Sequence, residues 1–137
     1  MAETNKKIKI HVLHCGQVVV PQLIPFGFTG KYYRRTTLPV SAYLIESSKG
    51  KVLVDTGWHT LVRTHPVKEM GVHAYPFSKP VLPEGQAVTE QLARMGIMPD
   101  DLDYVTFTHL DADHAGGVKL VSAAKNILVD ADELASA

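Results

Sequence analysis

Residues 108–117 read THLDADHAGG, and they follow directly on an apolar run, residues 102–108, whose composition is typical of a β-strand. Four side chains that can bind metal lie within six positions of this stretch: His109, Asp111, Asp113 and His114. Imidazole and carboxylate groups are ligands of zinc and related first-row metals, and the end of a strand presents them at a cleft. The two glycines that follow allow close backbone approach. The stretch therefore predicts a site for divalent metal ions.

The spacing of the four side chains allows two ions. His109 and Asp111 are two positions apart and can converge on one ion, while Asp113 and His114 can turn toward a second ion. Two adjacent metals can hold a bridging hydroxide and polarise a carbonyl or phosphoryl oxygen. An alternative without metal stays open, in which the aspartates are turn and cap residues of a following helix and the histidines are surface side chains.

Upstream of this stretch the chain predicts mostly β-structure. Residues 7–13 and 17–23 are alternating or β-branched runs, which predict two strands paired antiparallel. Residues 25–39 include FTGKYYRRTT and show little periodicity, so they predict a long loop. Residues 40–47 and 51–57 are strand-like runs joined by turn residues, which predicts a hairpin.

Helices and strands alternate in the rest of the chain. Residues 84–95 place their apolar side chains on one helical face. A short helix is predicted over residues 118–124, a strand over residues 126–130, and then a helix capped by Asp130 or Asp132. This order indicates an α/β layered fold with a mixed sheet.

Composition and charge argue against several classes of protein. At 137 residues and 45% hydrophobic, the chain has enough apolar material for one domain. Fourteen Lys and Arg balance fourteen Asp and Glu, so no net field attracts nucleic acid or an anionic membrane. No apolar stretch approaches the ~18 residues that span a bilayer. Cys15 is the only cysteine, and we expect it to be a small core residue rather than a nucleophile. A chain that cannot form an internal disulfide suits a reducing cytoplasm.

Two motifs carry a resemblance to a known family. THLDADHAGG at residues 108–117 is similar to the HxHxDH metal-binding motif of the metallo-β-lactamase fold superfamily, and VLVDTG at residues 52–57 resembles its second signature, a strand that ends in Asp. The runs LPVSAYLIESSKGKVLVDTGW and ARMGIMPDDLDYV most resemble the N-acyl-homoserine lactonase branch. That branch opens the lactone ring of quorum-sensing signals with a two-metal site. The resemblance extends from Ile8 onward and implies the N-terminal half of an αββα sandwich, with a mixed sheet and flanking helices.

The resemblance also implies a role for individual residues. His109 would bind the first metal, and Asp113 and His114 would bind the second. Asp113 would in addition steer the metal-bridging hydroxide that attacks a carbonyl carbon. Asp55 would support the site from outside the ligand shell, although an Asp that closes a turn after a strand is an open alternative. Two divalent metal ions, zinc in the first instance, are the implied cofactors.

The sequence departs from the family pattern in two respects. Asp111 stands where the pattern has a second histidine, so the first metal would have a carboxylate ligand that favours manganese or iron over zinc or weakens that site. The third ligand histidine, the bridging aspartate and the final histidine of the family come from the second half of the fold. We therefore expect residues 1–137 to be the N-terminal portion of one domain, with its C-terminal half absent.

The expected function is a metal-dependent hydrolase that opens a small-molecule lactone or ester with metal-activated water. A thioesterase or phosphodiesterase on the same fold is an alternative, because the motif fixes the metals and not the substrate. A non-catalytic truncated fragment is a further alternative. The strands would turn an apolar face toward the absent half, and that half or a second copy of the chain would cover it. Candidate residues for this face are Val12, Leu44, Val52, Val54, Val105 and Phe107.

Overall fold

A mixed β-sheet with flanking helices organises the fold in a computed structural model that describes residues 7–21 and 35–136. The strands are β1 Lys9–Pro21, β2 Arg35–Ser47, β3 Gly50–Val54, β4 Lys79–Val81, β5 Tyr104–Thr106 and β6 Ile127–Leu128. The α-helices are α1 Pro66–Met70, α2 Val88–Arg94, α3 Ala112–Ala115 and α4 Ala131–Ser136, and 3-10 turns cover Thr60–Arg63, Pro99–Asp101 and Gly116–Val121. The six-stranded sheet has the order β4-β1-β2-β3-β5-β6, antiparallel as far as β3 and parallel from β3 to β6. The predicted α/β fold with a mixed sheet is confirmed.

One long strand replaces the two strands predicted at residues 7–13 and 17–23. β1 is continuous, pairs antiparallel with β2 and β4, and shifts its register around Gly16. Gly16 has a φ of +88°, and a Cβ added there would collide with the carbonyl oxygen of Val81. The irregularity is therefore a β-bulge, which bends the strand without ending it. The prediction of two strands paired with each other was wrong.

The second strand begins earlier than predicted. Residues 35–39 belong to β2 and pair with the end of β1, where Thr37 lies opposite Val19. Their assignment to a loop over residues 25–39 was wrong, because pairing with a neighbouring strand orders a segment whose own periodicity is weak. Residues 25–34 of that predicted loop lie outside the described residues. The predicted hairpin is confirmed, since β2 and β3 meet with Ser47 opposite Gly50.

Local turns and tertiary contacts set the ends of the remaining elements. α2 begins inside the predicted helix 84–95, because residues 84–85 form a turn in which Gly85 has a φ of +79°. β5 is shorter than the predicted strand 102–108. Asp130 caps α4, since its Oδ1 accepts a hydrogen bond at 2.9 Å from the backbone N–H two residues on. The elements α1 and β4 lie in a proline-bearing segment whose sequence shows no periodicity, and they were not predicted.

One face of the sheet is covered. Leu44, Leu53 and Val105 lie side by side across β2, β3 and β5 and are fully buried. They belong to a core cluster that also includes apolar residues of α2 and of the 3-10 turn Gly116–Val121. Phe107 is partly buried and packs against the same cluster. The expectation that Leu44, Val105 and Phe107 face an absent half of the fold was therefore wrong.

The other face of the sheet is open and apolar. Val12, Tyr43 and Val54 form one row across β1, β2 and β3, and Ile10 and Val52 belong to the neighbouring row on the same face. Ile10 is 64% exposed and Val12 is 66% exposed. Val12, Val52 and Val54 thus lie on the open face, as the sequence predicts. In the described part of the chain, no helix is long and apolar enough to cross a membrane.

The single cysteine belongs to the core. Cys15 is fully buried, and the Cβ of its side chain occupies the space where a Cβ on Gly57 would have to go. Desolvation by burial raises the pKa of its thiol to about 12. A thiol with so high a pKa does not supply the thiolate that a nucleophile needs. The prediction of a small core residue is confirmed.

A bidentate ion pair fastens the segment after β3 to α2. Arg63 donates to both carboxylate oxygens of Glu90, at 2.9 and 2.7 Å, and also to the carbonyl oxygens of Leu82 and Pro83. Glu90 in turn accepts from the backbone N–H of Ala87 at the start of α2. The hydrogen bond from Arg63 is the largest cause that lowers the pKa of Glu90 to about 2. Paired geometry of this kind is the strong form of a salt bridge.

We expect Glu90→Gln to lower the free energy of unfolding by about 1 kcal/mol, because it removes a charge-assisted hydrogen bond that solvent partly screens. The folded pKa of Glu90 is depressed to about 2, so its contribution is complete above the unfolded pKa of about 4.3 and is lost as the pH falls toward 2. Urea unfolding followed by circular dichroism at pH 7 and pH 3 measures this difference.

Glu84→Gln is the matched control, because Glu84 is exposed and acts on Arg63 only as a more distant charge. Equal destabilisation by the two substitutions, or a loss from Glu90→Gln that does not shrink at low pH, would contradict a stabilising role for the ion pair.

Candidate metal centre

Asp55 begins the site at the end of β3. Its φ of 62° lies in the left-handed region, and it is the only non-glycine residue with a positive φ in the described ranges. Its backbone N–H donates to the carbonyl oxygen of Thr106 at 2.8 Å, which continues the parallel pairing of β3 with β5. Aspartate tolerates this conformation better than most residues, but the surrounding structure must hold it there. The chain therefore turns sharply at the strand end and directs the Asp55 side chain inward.

A second set of contacts joins this turn to the segment that begins at His114. The backbone N–H and the hydroxyl of Thr56 both donate to the carbonyl oxygen of His114, at 2.7 and 3.1 Å. Gly117 N–H donates to the carbonyl oxygen of Gly57 at 2.8 Å. A Cβ on Gly117 would lie 2.6 Å from the Thr56 carbonyl oxygen, so the approach requires glycine. The close backbone approach inferred from the paired glycines is present at Gly117.

The carboxylate of Asp55 is buried and fully engaged. It is 2% exposed, and its Oδ1 accepts from the backbone N–H of Thr108 at 2.8 Å. Its Oδ2 lies 2.9 Å from the Thr108 hydroxyl and 2.9 Å from Nδ1 of His114. Burying a carboxylate without such partners would cost several kcal/mol. Asp55 does close a turn, and its side chain also holds the imidazole of His114.

The two histidines lie against each other. The ring centroids of His109 and His114 are 3.9 Å apart, with the ring planes inclined at 43°. Nε2 of His109 lies 3.4 Å from Oδ2 of Asp111, and Nε2 of His114 lies 3.5 Å from Oδ2 of Asp113. The structure thus brings the four side chains together as two nitrogen–oxygen pairs. Within each pair, the residues are those that the spacing assigned to one ion.

The helix-cap alternative has little support at Asp111. The backbone carbonyl of Asp111 accepts from His114 N–H and Ala115 N–H at the start of α3, but its side chain makes no capping hydrogen bond. The Asp111 side chain is 78% exposed and directs an oxygen toward His109 instead. The structure therefore gives this carboxylate no structural duty in the helix.

The donor chemistry of the pairs fits a divalent metal. Their nitrogen–oxygen separations of 3.4 and 3.5 Å exceed a good hydrogen bond. Two ligands of one tetrahedral zinc ion, each about 2.0–2.1 Å from it, are separated by roughly 3.3 Å. In the ranges 7–21 and 35–136, no three or more His, Cys, Asp or Glu side chains are arranged to hold one ion. Each pair therefore offers only two donors, and a tetrahedral zinc ion takes four.

Two residues of the site were not singled out from the sequence. The Thr108 hydroxyl contacts Asp55 and both histidines. Glu133, on α4, accepts a hydrogen bond at 3.3 Å from the backbone N–H of Leu110, the residue between His109 and Asp111. Glu133 follows the cap Asp130 by three positions, a spacing typical of a capping box, but its side chain contacts the backbone of Leu110 instead. Of these two residues, only Thr108 could have been found from the sequence, because it is the polar residue that begins THLDADHAGG.

Comparison with known proteins decides the family. Residues 35–133, well over half of the chain, match the metallo-beta-lactamase superfamily. The chain belongs to this superfamily. N-acyl homoserine lactonase AiiA of Bacillus thuringiensis subsp. kurstaki is 38% identical over 80 residues, which are 58% of this chain and 32% of that protein. N-acyl homoserine lactonase AiiB of Agrobacterium fabrum is 34% identical over 109 residues, 76% of this chain and 37% of that protein.

The solved structures support the same fold. An N-acyl homoserine lactone hydrolase with the product N-hexanoyl-L-homoserine at its catalytic metal center superposes with a TM-score of 0.76 and 27% identity. The superposition covers 93% of this chain and 50% of that chain. The metallo-β-lactamase fold inferred from the two motifs is confirmed. The chain spans about a third of the length of the curated relatives it matches and half of this solved one.

Proposed function

We propose that the protein is a metal-dependent hydrolase that uses metal-activated water to open a lactone or an ester, as N-acyl homoserine lactonases do. The observation that carries the proposal is the pairing of His109 with Asp111 and of Asp113 with His114, whose ring contacts the buried Asp55. The relatives named as lactonases, and the solved lactone hydrolase with its product at a metal center, support the same substrate class.

The four side chains are proposed to hold two divalent ions. His109 and Asp111 would bind the first, and Asp113 and His114 the second. Such ions, when bound, polarise a carbonyl oxygen and lower the pKa of water. Zinc suits this set of ligands, and the carboxylate of Asp111 raises the affinity for manganese or iron relative to a histidine at that position.

Asp55 and Asp113 are proposed to have different roles beside the ions. Asp55 accepts from Nδ1 of His114 at 2.9 Å and so leaves Nε2 of that ring for the metal. Asp113 would hold metal and would also orient the attacking water. Its carboxylate is the catalytic residue of the proposal, because it would contact both the metal and the water.

Metal binding tests the proposed ligands directly. His109→Ala or Asp113→Ala should reduce zinc affinity by more than the ~10–100-fold that loss of an outer-shell partner costs. Elemental analysis of the purified protein and competition with a chelator measure the change. His65→Ala and His73→Ala are the controls, because these histidines lie in the segment around α1, outside the proposed ligand set. Equal metal loss in all four variants would count against the ligand assignment.

Hydrolysis products test the substrate class. The protein loaded with zinc or manganese should open N-acyl homoserine lactones, and Asp113→Asn should reduce the rate at least ~10²-fold, the effect of misplacing the attacking water. Thioesters and phosphodiesters are the comparison substrates. Turnover of one of them in place of the lactones would favour the alternative of a thioesterase or phosphodiesterase. Failure to bind two metal ions, together with no turnover of any substrate, would favour the non-catalytic alternative.

We also propose that the open face of the sheet is covered by a second sheet from the remainder of the same domain. The face is apolar, and its exposed side chains include Ile10, Val12 and Tyr43. Each Å² of such surface left in water costs roughly 25 cal/mol. A solved relative is twice as long as the part that superposes. On this proposal residues 1–137 are the N-terminal portion of the domain, and a second copy of the chain is the alternative cover.

Residues 1–137 expressed alone should associate or fail to melt cooperatively, because the apolar face would seek a partner. Light scattering should give a mass above 15.0 kDa, and joint replacement of Ile10 and Val12 by Thr should reduce the association. Joint replacement of Val67 and Val72 by Thr is the control, since both are exposed and lie in or beside α1, away from the sheet. A soluble monomer with a cooperative melt would refute the half-domain proposal.

The cellular setting follows from general features. A cytoplasmic location is proposed because the single cysteine is buried and reduced. The balanced charge gives no reason to propose a nucleic acid or a membrane as a partner. The proposed partner is a small-molecule lactone or ester.

A further inference from the structure

The hydroxyl of Thr108 lies at the centre of the site. It is 2.9 Å from Oδ2 and 3.1 Å from Oδ1 of Asp55. It is also 3.1 Å from Nδ1 of His109 and 3.3 Å from Nδ1 of His114. One hydroxyl therefore contacts a buried carboxylate and the same ring nitrogen of two histidines.

The number of hydrogens that these groups can donate decides which atom is the donor in each contact. The hydroxyl of Thr108 has a single hydrogen, and it donates that hydrogen to the carboxylate of Asp55. The hydroxyl oxygen then has only lone pairs to offer, and Nδ1 of His109 must carry the hydrogen that it donates to Thr108. Nδ1 of His114 donates to the nearer Oδ2 of Asp55, at 2.9 Å. A neutral imidazole that donates from Nδ1 has its lone pair on Nε2, so these contacts favour the Nδ1–H tautomer in both rings.

The two lone pairs point to places where a cation fits. Nε2 of His109 faces an oxygen of Asp111 at 3.4 Å, and Nε2 of His114 faces an oxygen of Asp113 at 3.5 Å. Two acceptors that face each other repel, and a cation between them converts the repulsion into binding.

We infer that Thr108 is a positioning residue of the metal centre, whose hydroxyl selects the Nδ1–H tautomer of His109 just as Asp55 selects that of His114. The inference rests on the proposed metal-dependent function. The tautomer of His109 is fixed by a chain of two hydrogen bonds, in which His109 donates to Thr108 and Thr108 donates to Asp55. Loss of the hydroxyl leaves the His109 ring free to carry its hydrogen on Nε2, the nitrogen that must ligate.

Ring-nitrogen NMR of the metal-free protein labelled with ¹⁵N-histidine tests the tautomer. In the unaltered protein His109 should show a hydrogen on Nδ1. Thr108→Val, which keeps the shape and removes the hydroxyl, should shift most of His109 to the Nε2–H tautomer, and Thr108→Ser should restore Nδ1–H. His114 should keep its Nδ1–H in all three proteins. An Nε2–H tautomer of His109 in the unaltered protein overturns the inference, even if Thr108→Val does not fold.

Metal affinity connects the tautomer to the site. Zinc affinity should fall ~10–100-fold in Thr108→Val, the usual cost of an outer-shell partner, and Thr108→Ser should recover it. Thr64→Val is the matched control, because the Thr64 hydroxyl contacts Nδ1 of His65 at 2.8 Å outside the site and its loss should leave zinc affinity unchanged.

The outcomes separate the inference from the proposed function. Unaltered protein that binds no zinc overturns the proposed function, while the NMR result still decides whether Thr108 sets the tautomer. Equal zinc affinity of the unaltered protein and of Thr108→Val overturns the inference and leaves the proposed function standing.

Discussion

The buried carboxylate of Asp55 is the constraint on which the site depends. A charge that is 2% exposed is tolerated only with hydrogen-bond donors around it, and all the donors described for it come from Thr108 and His114. The parallel pairing of β3 with β5 makes this possible, because Val54 lies opposite Thr106 and the two strands therefore end together. The positive φ at Asp55 then turns the side chain into the space between the two strand ends.

The same contacts support the two proposed metal positions unequally. Both the ring and the backbone of His114 are held, since its Nδ1 contacts Asp55 and Thr108 and its carbonyl oxygen accepts twice from Thr56. The ring of His109 contacts the Thr108 hydroxyl, and the side chain of Asp111 is 78% exposed and makes no capping hydrogen bond to α3. A ligand fixed by its neighbours loses less freedom when it binds, so the position formed by Asp113 and His114 is the better organised of the two.

The sequence predicted what depends on neighbouring residues and missed what depends on distant ones. The hairpin and the grouping of His109, Asp111, Asp113 and His114 follow from local patterns, and the structure has the hairpin and places the four side chains close together. The bulge at Gly16 depends on the carbonyl oxygen of Val81, far along the chain, so the break in the pattern suggested a turn. The prediction of which residues lie on the open face was partly wrong for another reason. Alternation groups residues by face but does not say which face is covered, and Leu44 pairs with Leu53, which lies between Val52 and Val54 and points the opposite way.

The substitution of a carboxylate for the histidine of the family pattern changes both charge and reach at position 111. With Asp111 the four proposed ligands comprise two imidazoles and two carboxylates, so they carry two negative charges where the pattern carries one. Aspartate also has a shorter side chain than histidine, and its oxygen nevertheless lies 3.4 Å from Nε2 of His109. On the proposed function, Asp111 would ligate without a movement of the loop, and the change would act on the metal through ligand hardness and charge rather than through geometry.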